Sequence, residues 1–333
     1  MMENTFTKNS VDVIVPCYRY GQYLRECVES ALHQEGASVR VLIIDDASPD
    51  DSAEVAEALV REDSRVSFSR HAVNKGHIAT FNEGNDWAAA EYTILLSADD
   101  YLLPGALLRA ITLMEQNPDV VFTFGKVIIL GEDGKNEEYG TGIEAYDSGK
   151  NWIWPGLEFI DVSGAKNIVP TPTPVVRTVH LKKVGGYRPE LPHAGDMEMW
   201  WRLALHGSVA MIGQCQAAYR RHASNMSLKC AKALLDMRER QAVIDWFLRG
   251  CGDRLADAAG IQKRAFQSLG EEALVFAHRA FESGDTVASQ ELLDFAVEVS
   301  PSIRGSVPWV KLVAKHRLGP RVFEMLKAVS LSR

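Results

Sequence analysis

Short apolar runs that end in polar or acidic residues alternate with segments of helical apolar spacing through the first third of the chain. Residues 11–16 are β-rich and stop at Pro16. Residues 23–34 follow with Leu24, Cys27, Val28, Ala31 and Leu32 on one stripe, the spacing of a helix. Residues 39–44 form the next apolar strand, which ends at Asp45-Asp46-Ala47-Ser48. A helix begins near Ser52 and runs to about Arg61, with Asp50 or Asp51 as its cap. Residues 66–69 read as a third, weaker strand, 78–90 as a helix, 93–96 as a buried strand, 104–116 as a helix and 120–124 as a strand. This βαβα order predicts an α/β fold with a doubly wound, mostly parallel sheet and right-handed crossovers.

The pattern changes beyond residue 124. Residues 126–130 are strand-like, and an irregular stretch with Trp152 and Trp154 follows. Pro170-Thr171-Pro172-Thr173-Pro174 predicts a rigid extended segment. Residues 197–205 predict a helix carrying Trp200 and Trp201, and a last strand falls around 217–219. From residue 231 the spacing is almost wholly helical, with breaks expected near Gly250, Gly260, Gly270 and Gly284. Two regions are therefore expected, an α/β domain over 1–230 and a helical C-terminal extension over 231–333. Within the extension, Ala277, Ala280, Gly284, Ala288, Leu292, Ala296 and Pro301 resemble one tetratricopeptide unit. A single copy makes an appendage and not a solenoid. Residues 318–333 are mildly amphipathic and basic, which suits contact with a membrane surface or a partner and equally a solvated terminal helix.

Composition narrows the class. A net charge of -8 argues against a nucleic-acid binder. The five cysteines are scattered and lack paired spacing, which fits a reducing compartment and carries no zinc signature. Residues 1–10 are polar and no apolar run reaches the ~20 residues of a membrane span. The expectation is a cytoplasmic protein, peripheral to the inner face of a membrane if the C-terminal helices touch one.

Candidate chemistry begins where the 93–96 strand ends, at Ser97-Ala98-Asp99-Asp100. Open α/β sheets place their ligand crevice at this edge. Two adjacent carboxylates repel and so favour a bound cation. Their hard oxygens suit Mg²⁺ or Mn²⁺, which in turn suits a diphosphate. Aspartates also serve in turns and helix caps, so the pair alone leaves both roles open.

Taken in order, residues 13–18 (VIVPCY), 43–48 (IIDDAS), Asn74-Lys75-Gly76, Asn82, residues 96–100 (LSADD), 195–200 (GDMEMW) and 219–222 (YRRH) resemble the family 2 glycosyltransferases of GT-A fold. The resemblance covers roughly residues 10–228 and implies a Rossmann-like nucleotide half. It implies that Asp46 accepts the imide N–H of uracil, with Pro16 and Tyr18 adding backbone and aromatic contacts and Asn74, Lys75 and Asn82 lining the nucleotide pocket. Asp100 would hold Mn²⁺ or Mg²⁺, Asp99 would lie nearer the ribose or donor sugar, His222 would be a further metal ligand and Arg221 a phosphate clamp. Asp196 would be the general base, and Glu198 either an acceptor contact or part of a solvated face. Departures from the family pattern are Ser97 where many relatives carry Asp, Gly195 where they carry Glu, and Phe81 where they carry Arg.

The implied activity is inverting, metal-dependent transfer from a nucleotide-sugar donor, with a UDP-sugar favoured, to a hydroxyl of a glycan or lipid-linked acceptor in cell-surface polysaccharide synthesis. The alternative is a catalytically degenerate nucleotide-sugar-binding scaffold that docks through its helical tail. Retention of Asp46, Asp100 and Asp196 together argues against it, since a sensor needs no base. A nucleotidyltransferase would bring a Gly-rich phosphate loop after the first strand, and residues 16–21 hold a single glycine.

Overall fold

Strand β1 (Ser10–Cys17) is inaccessible along Val11, Val13, Ile14 and Val15, which explains its nearly continuous apolar run: both faces are covered. The one charge in that run, Asp12, is buried, and Arg40 bonds both of its oxygens at 2.9 and 2.8 Å. The backbone N–H groups of Ala89 and Ala90 donate to it as well. A buried carboxylate with this many donors is compensated.

The structure is a computed structural model that describes residues 8–131, 135–143, 145–222, 233–251, 255 and 257–319. The described residues fall into two compact units, one within 1–160 and 167–225, the other within 161–166 and 226–333.

In the first unit, β1 pairs in parallel with β2 (Ser38–Asp45), β2 with β3 (Val66–Arg70), and β1 with β4 (Tyr92–Leu95). Helices α1 (Gly21–Leu32), α2 (Ser52–Glu62) and α3 (His77–Trp87) make the crossovers. Further strands are β5 (Tyr101–Leu102), β6 (Val120–Leu130), β7 (Asn136–Tyr139), β8 (Trp152–Trp154), β9 (Val175–Arg177) and β10 (Ser208–Arg220). The sheet runs β3-β2-β1-β4-β9-β6-β10-β5, with β7 paired to β6 and β8 to β10. The β3-β2-β1-β4 half is parallel, while β9 enters antiparallel between β4 and β6. Helices α4 (Ala106–Gln116), α5 (Gly156–Ser163), α6 (Thr178–Val184) and α7 (Gly195–Ala204) complete the order before the C-terminal helices. Gly84 lets α3 lie against β1, since a Cβ there would stand 2.2 Å from Ile14 Cγ2.

Several expectations change. Residues 120–124 and 126–130 are one strand, β6, because Gly125 continues the β backbone between them. The proline-rich segment turns instead of extending: the Thr173 backbone N–H and hydroxyl both donate to Pro170 O, at 3.1 and 2.8 Å. Asp50, more than Asp51, organises the start of α2, accepting from the Ser52 hydroxyl at 2.6 Å and from the Gly21 N–H at 3.2 Å.

The second unit contains α8 (Ala233–Cys251), α9 (Ala258–Glu282), α10 (Thr286–Val299) and α11 (Val307–Leu318). Asp257, Asp285 and Ser306 cap the last three through side-chain acceptors. Gly284, at φ 89°, makes the α9–α10 turn. Gly260 and Gly270 lie inside α9 and break nothing. A Cβ on Gly270 would lie 2.5 Å from Ile303 Cδ1 and 3.0 Å from Ala296 O, so its role is close helix packing. Arg240 is buried against Glu272 at 3.0 Å and Asp236 at 2.9 Å. The basic amphipathic stretch from residue 320 onward lies outside the described residues. No described helix is long and apolar enough to cross a membrane.

Candidate active site at the carboxyl edge of the sheet

The C-terminal ends of β1, β2 and β4 converge through backbone bonds: Asp46 N–H donates to Cys17 O at 2.9 Å and Ala98 N–H to Pro16 O at 3.3 Å. Pro16, Tyr18, Asp46 and the Ser97–Asp100 turn thus share one edge. Two residues here, Arg19 at φ 66° and Ala47 at φ 58°, hold left-handed backbone without being glycine. Such strain persists only where the surroundings impose it. The Arg19 N–H, bonded to Ser48 Oγ at 3.0 Å, joins the two strained turns. Tyr18 is exposed on this edge, with the Arg19 guanidinium 5.7 Å from its ring.

Asp46 is buried and organises a loop. Its Oδ1 accepts from Lys75 N–H at 2.7 Å and lies 2.7 Å from His71 Nδ1, while Oδ2 accepts from Gly76 N–H at 2.9 Å. Asn74 Nδ2 donates to Asp46 O at 3.2 Å. A carboxylate offers about four acceptor positions, so these bonds leave about one, on Oδ2. Asn74 and Lys75 therefore do stand with Asp46. Asn82 does not: its amide is spent on the backbone of Tyr187, donating to the carbonyl at 2.9 Å and accepting the N–H at 2.6 Å. It ties α3 to the segment before α7.

Asp99 and Asp100 are both buried, at 5% and 2% exposure. Burial raises the Asp99 carboxyl, opposed by hydrogen bonds from His222 and the Tyr20 hydroxyl. Burial and then the Asp99 charge hold Asp100 well above the usual carboxylate range, opposed by the Arg220 N–H, which donates to Asp100 Oδ1 at 2.9 Å. His222 Nε2 lies 3.1 Å from Asp99 Oδ2, and its ring stacks on Tyr23 at 5.8 Å with Tyr20 edge-on at 5.5 Å. Among the described residues no three acidic, histidine or cysteine side chains form a ready-made ligand cage. The donor set still fits Mg²⁺ or Mn²⁺, which use one or two carboxylates and complete their shell with water and substrate phosphates. Two adjacent buried carboxylates repel one another when ionised, which favours a bound cation.

Arg221 is exposed, anchored by its N–H to Leu130 O at 3.0 Å. Its neighbour Arg220 is the held one, with its guanidinium 4.8 Å from the Tyr23 ring centre, 5.5 Å from that of Tyr101 and paired with Glu26.

Asp196 stands in the first turn of α7 and does not cap it; the N-cap is Ala194. The helix start meets the start of α3, where His77 Nε2 is 3.0 Å from Pro192 O. The Asp196 side chain is half-buried, and desolvation pushes its pKa up to about 6 despite a long hydrogen bond of 3.5 Å from Thr171 Oγ1. The helix N-terminus favours the charged form, so burial is the stronger effect here. Glu198 is neither an acceptor contact nor solvated. It is fully buried between Arg188 at 2.6 Å and Arg202 at 2.7 Å, and Arg202 in turn donates to the carbonyls of Val184 and Gly186. The ion triad clamps the turn that leads into α7. Trp154, Trp200 and Trp201 are core residues, and Trp152 stacks on Trp154 at 6.4 Å.

His71, Glu83, Tyr20 and Arg220 carry no sequence signal of their own. Each becomes visible only when strands distant in sequence meet.

Three comparisons bear on this geometry. A glucosyltransferase of Campylobacter jejuni, GalNAc(5)-diNAcBac-PP-undecaprenol beta-1,3-glucosyltransferase, is 31% identical over 137 residues, 40% of this chain and 43% of that protein. The chain thus spans less than half of that relative's length. The crystal structure of S. aureus TarS 1-349 in complex with UDP-GlcNAc superposes with a TM-score of 0.67 at 17% identity, covering 88% of this chain and 82% of that one. The mannosyltransferase PcManGT of Pyrobaculum calidifontis, in complex with GDP-Man and Mn²⁺, gives a TM-score of 0.55 at 15% identity over 95% of this chain and 88% of that one. The architecture is the GT-A fold. Residues 12–171, just under half of the chain, match the model of glycosyl transferase family 2, and this region is a domain of that family.

Proposed function

We propose that the chain transfers a sugar, with inversion, from a nucleoside-diphosphate sugar to a hydroxyl of a glycan or lipid-linked acceptor in cell-surface polysaccharide synthesis. The observation that carries the reading is Asp196, a carboxyl in the first turn of α7 raised to about 6 by burial; the buried Asp99–Asp100 pair beyond β4 supports it. A base with this pKa is largely ionised at neutral pH and still able to take a proton.

Each residue then has a task. Asp46 presents its remaining acceptor position to the imide N–H of a uracil base, and Tyr18 offers its ring to the nucleoside. Asn74 and Lys75 shape the wall beside them. Asp100 and His222 would hold Mg²⁺ or Mn²⁺, with Asp99 toward the ribose or donor sugar and Arg221 toward the diphosphate. When bound, the cation offsets the charge of the departing diphosphate as a Lewis acid. Asp196 takes the proton of the acceptor hydroxyl as its oxygen bonds to the anomeric carbon. The bond to the diphosphate breaks, its electron pair leaves with the nucleoside diphosphate, and a single displacement inverts the anomeric centre.

The UDP-GlcNAc of the TarS complex and the undecaprenol-linked substrate in the Campylobacter enzyme's name support a UDP-sugar and a lipid-linked acceptor. The Mn²⁺ of the PcManGT complex supports the metal. The test is release of nucleoside diphosphate from a panel of UDP-, GDP- and dTDP-sugars with lipid-linked and free glycan acceptors. Acceptor-dependent release that Asp196→Asn abolishes is expected. No release from any donor in the wild type overturns the reading.

A further inference from the structure

The buried imidazole of His71 lies between two carboxylates, Nδ1 2.7 Å from Asp46 Oδ1 and Nε2 2.8 Å from Glu83 Oε2. An ionised carboxylate only accepts, so both ring nitrogens must donate, and the ring that spans the pair is the imidazolium. No step of the transfer uses this ring. It does fix the one carboxylate that also anchors the backbone of Lys75 and Gly76.

We propose that His71 is a positioning residue for the nucleotide, its imidazolium fixing the Asp46 carboxylate and the loop around residues 74–76, so that donor binding weakens when His71 loses its proton. The inference rests on Asp46 holding the nucleobase.

The charged groups around the ring come from every neighbouring element. Asp46 faces it from the end of β2 and Glu83 from α3, and Lys75 Nζ lies 3.6 Å from Glu83 Oε2. Ser69 Oγ donates to Glu83 Oε1 at 3.1 Å. Asp45 takes the His71 N–H on its carbonyl at 2.9 Å, and its carboxylate pairs with Arg70 at 3.0 Å. Burial acts to lower the His71 pKa, but the bonds to Asp46 and Glu83 outweigh it and raise the pKa above the ordinary histidine value. The bridge is therefore complete below the ordinary value of about 6.5 and is lost as pH rises through the raised one. A neutral ring has a single N–H and leaves one carboxylate facing a lone pair.

The test combines nitrogen NMR of the full chain with steady-state kinetics. Both His71 nitrogens should be protonated at pH 7, and the donor KM should climb with pH along the His71 titration while kcat follows it far less. His71→Gln should raise the donor KM about tenfold at neutral pH, the loss of one charge-assisted bond, and remove that climb. Glu83→Gln puts an amide opposite Nε2 that can donate to a neutral ring, so the climb should vanish there too. A singly protonated His71 at pH 7, or a donor KM indifferent to His71→Gln, would overturn the inference. Absence of any nucleotide binding in the wild type would fail the functional reading itself, whereas binding insensitive to His71 fails this inference alone.

Discussion

Asp99 Oδ2 and His222 Nε2 lie 3.1 Å apart across 123 residues of chain, one just beyond β4 and the other just beyond β10. The contact brings the imidazole onto a carboxylate pair that burial holds above its usual range. A carboxyl raised in the folded state contributes stability below its ordinary pKa of about 4 and loses it as pH rises through the raised value. A divalent cation bound to the ionised pair reverses that loss. Thermal melting should therefore rise with Mn²⁺ at pH 7 to 8, and the gain should shrink as pH falls. Asp100→Asn should abolish the gain and lower kcat/KM by about 10²-fold or more. Melting indifferent to Mn²⁺ at pH 8 would count against a cation at this pair.

Asp196 must be ionised to accept a proton. The kcat/KM profile should rise through an acidic limb near pH 6, following the raised pKa of this carboxyl. Asp196→Asn should cut kcat by about 10²- to 10⁴-fold and leave nucleotide affinity near the wild-type value. An unchanged acidic limb in the variant would move the base elsewhere.

Glu198 is a stability residue in this structure. Replacing it with Gln leaves Arg202 and Arg188 without their shared carboxylate and should cost about 3–5 kcal/mol in chemical denaturation. Full stability with a selective rise in acceptor KM would instead return Glu198 to the acceptor.

Gly270→Val tests the second unit. The added side chain meets Ile303 and the Ala296 carbonyl, and overpacking of this kind costs about 1–3 kcal/mol. Differential scanning calorimetry should show the loss. A variant as stable as the wild type would mean that α9 and α10 yield easily.

The parallel half of the sheet was legible because β1, β2 and β4 are largely buried apolar runs, and β2 and β4 close on Asp45-Asp46 and Asp99-Asp100. The segment from 170 to 184 was not. Its prolines mimic an extended spacer, while Thr173 closes a turn and Val175–Arg177 enters the sheet antiparallel. Elements of 3 and 7 residues are too short for a β or an α period to register in the sequence. Of the site, the carboxylates announce themselves at strand ends. Their partners do not, because His71, Tyr20 and Arg220 acquire meaning only through contacts made across the sheet edge. Glu198 misleads for the opposite reason: a charge in an apolar helix reads as surface until two arginines are found to enclose it.

The most direct test of the central claim is calorimetric titration of UDP, GDP and dTDP into the full chain with Mn²⁺, repeated with excess chelator and with Asp100→Ala. The account predicts binding of at least one nucleotide, UDP foremost, that requires Mn²⁺ and disappears in the variant. Silence of all three nucleotides in the presence of Mn²⁺ would contradict it.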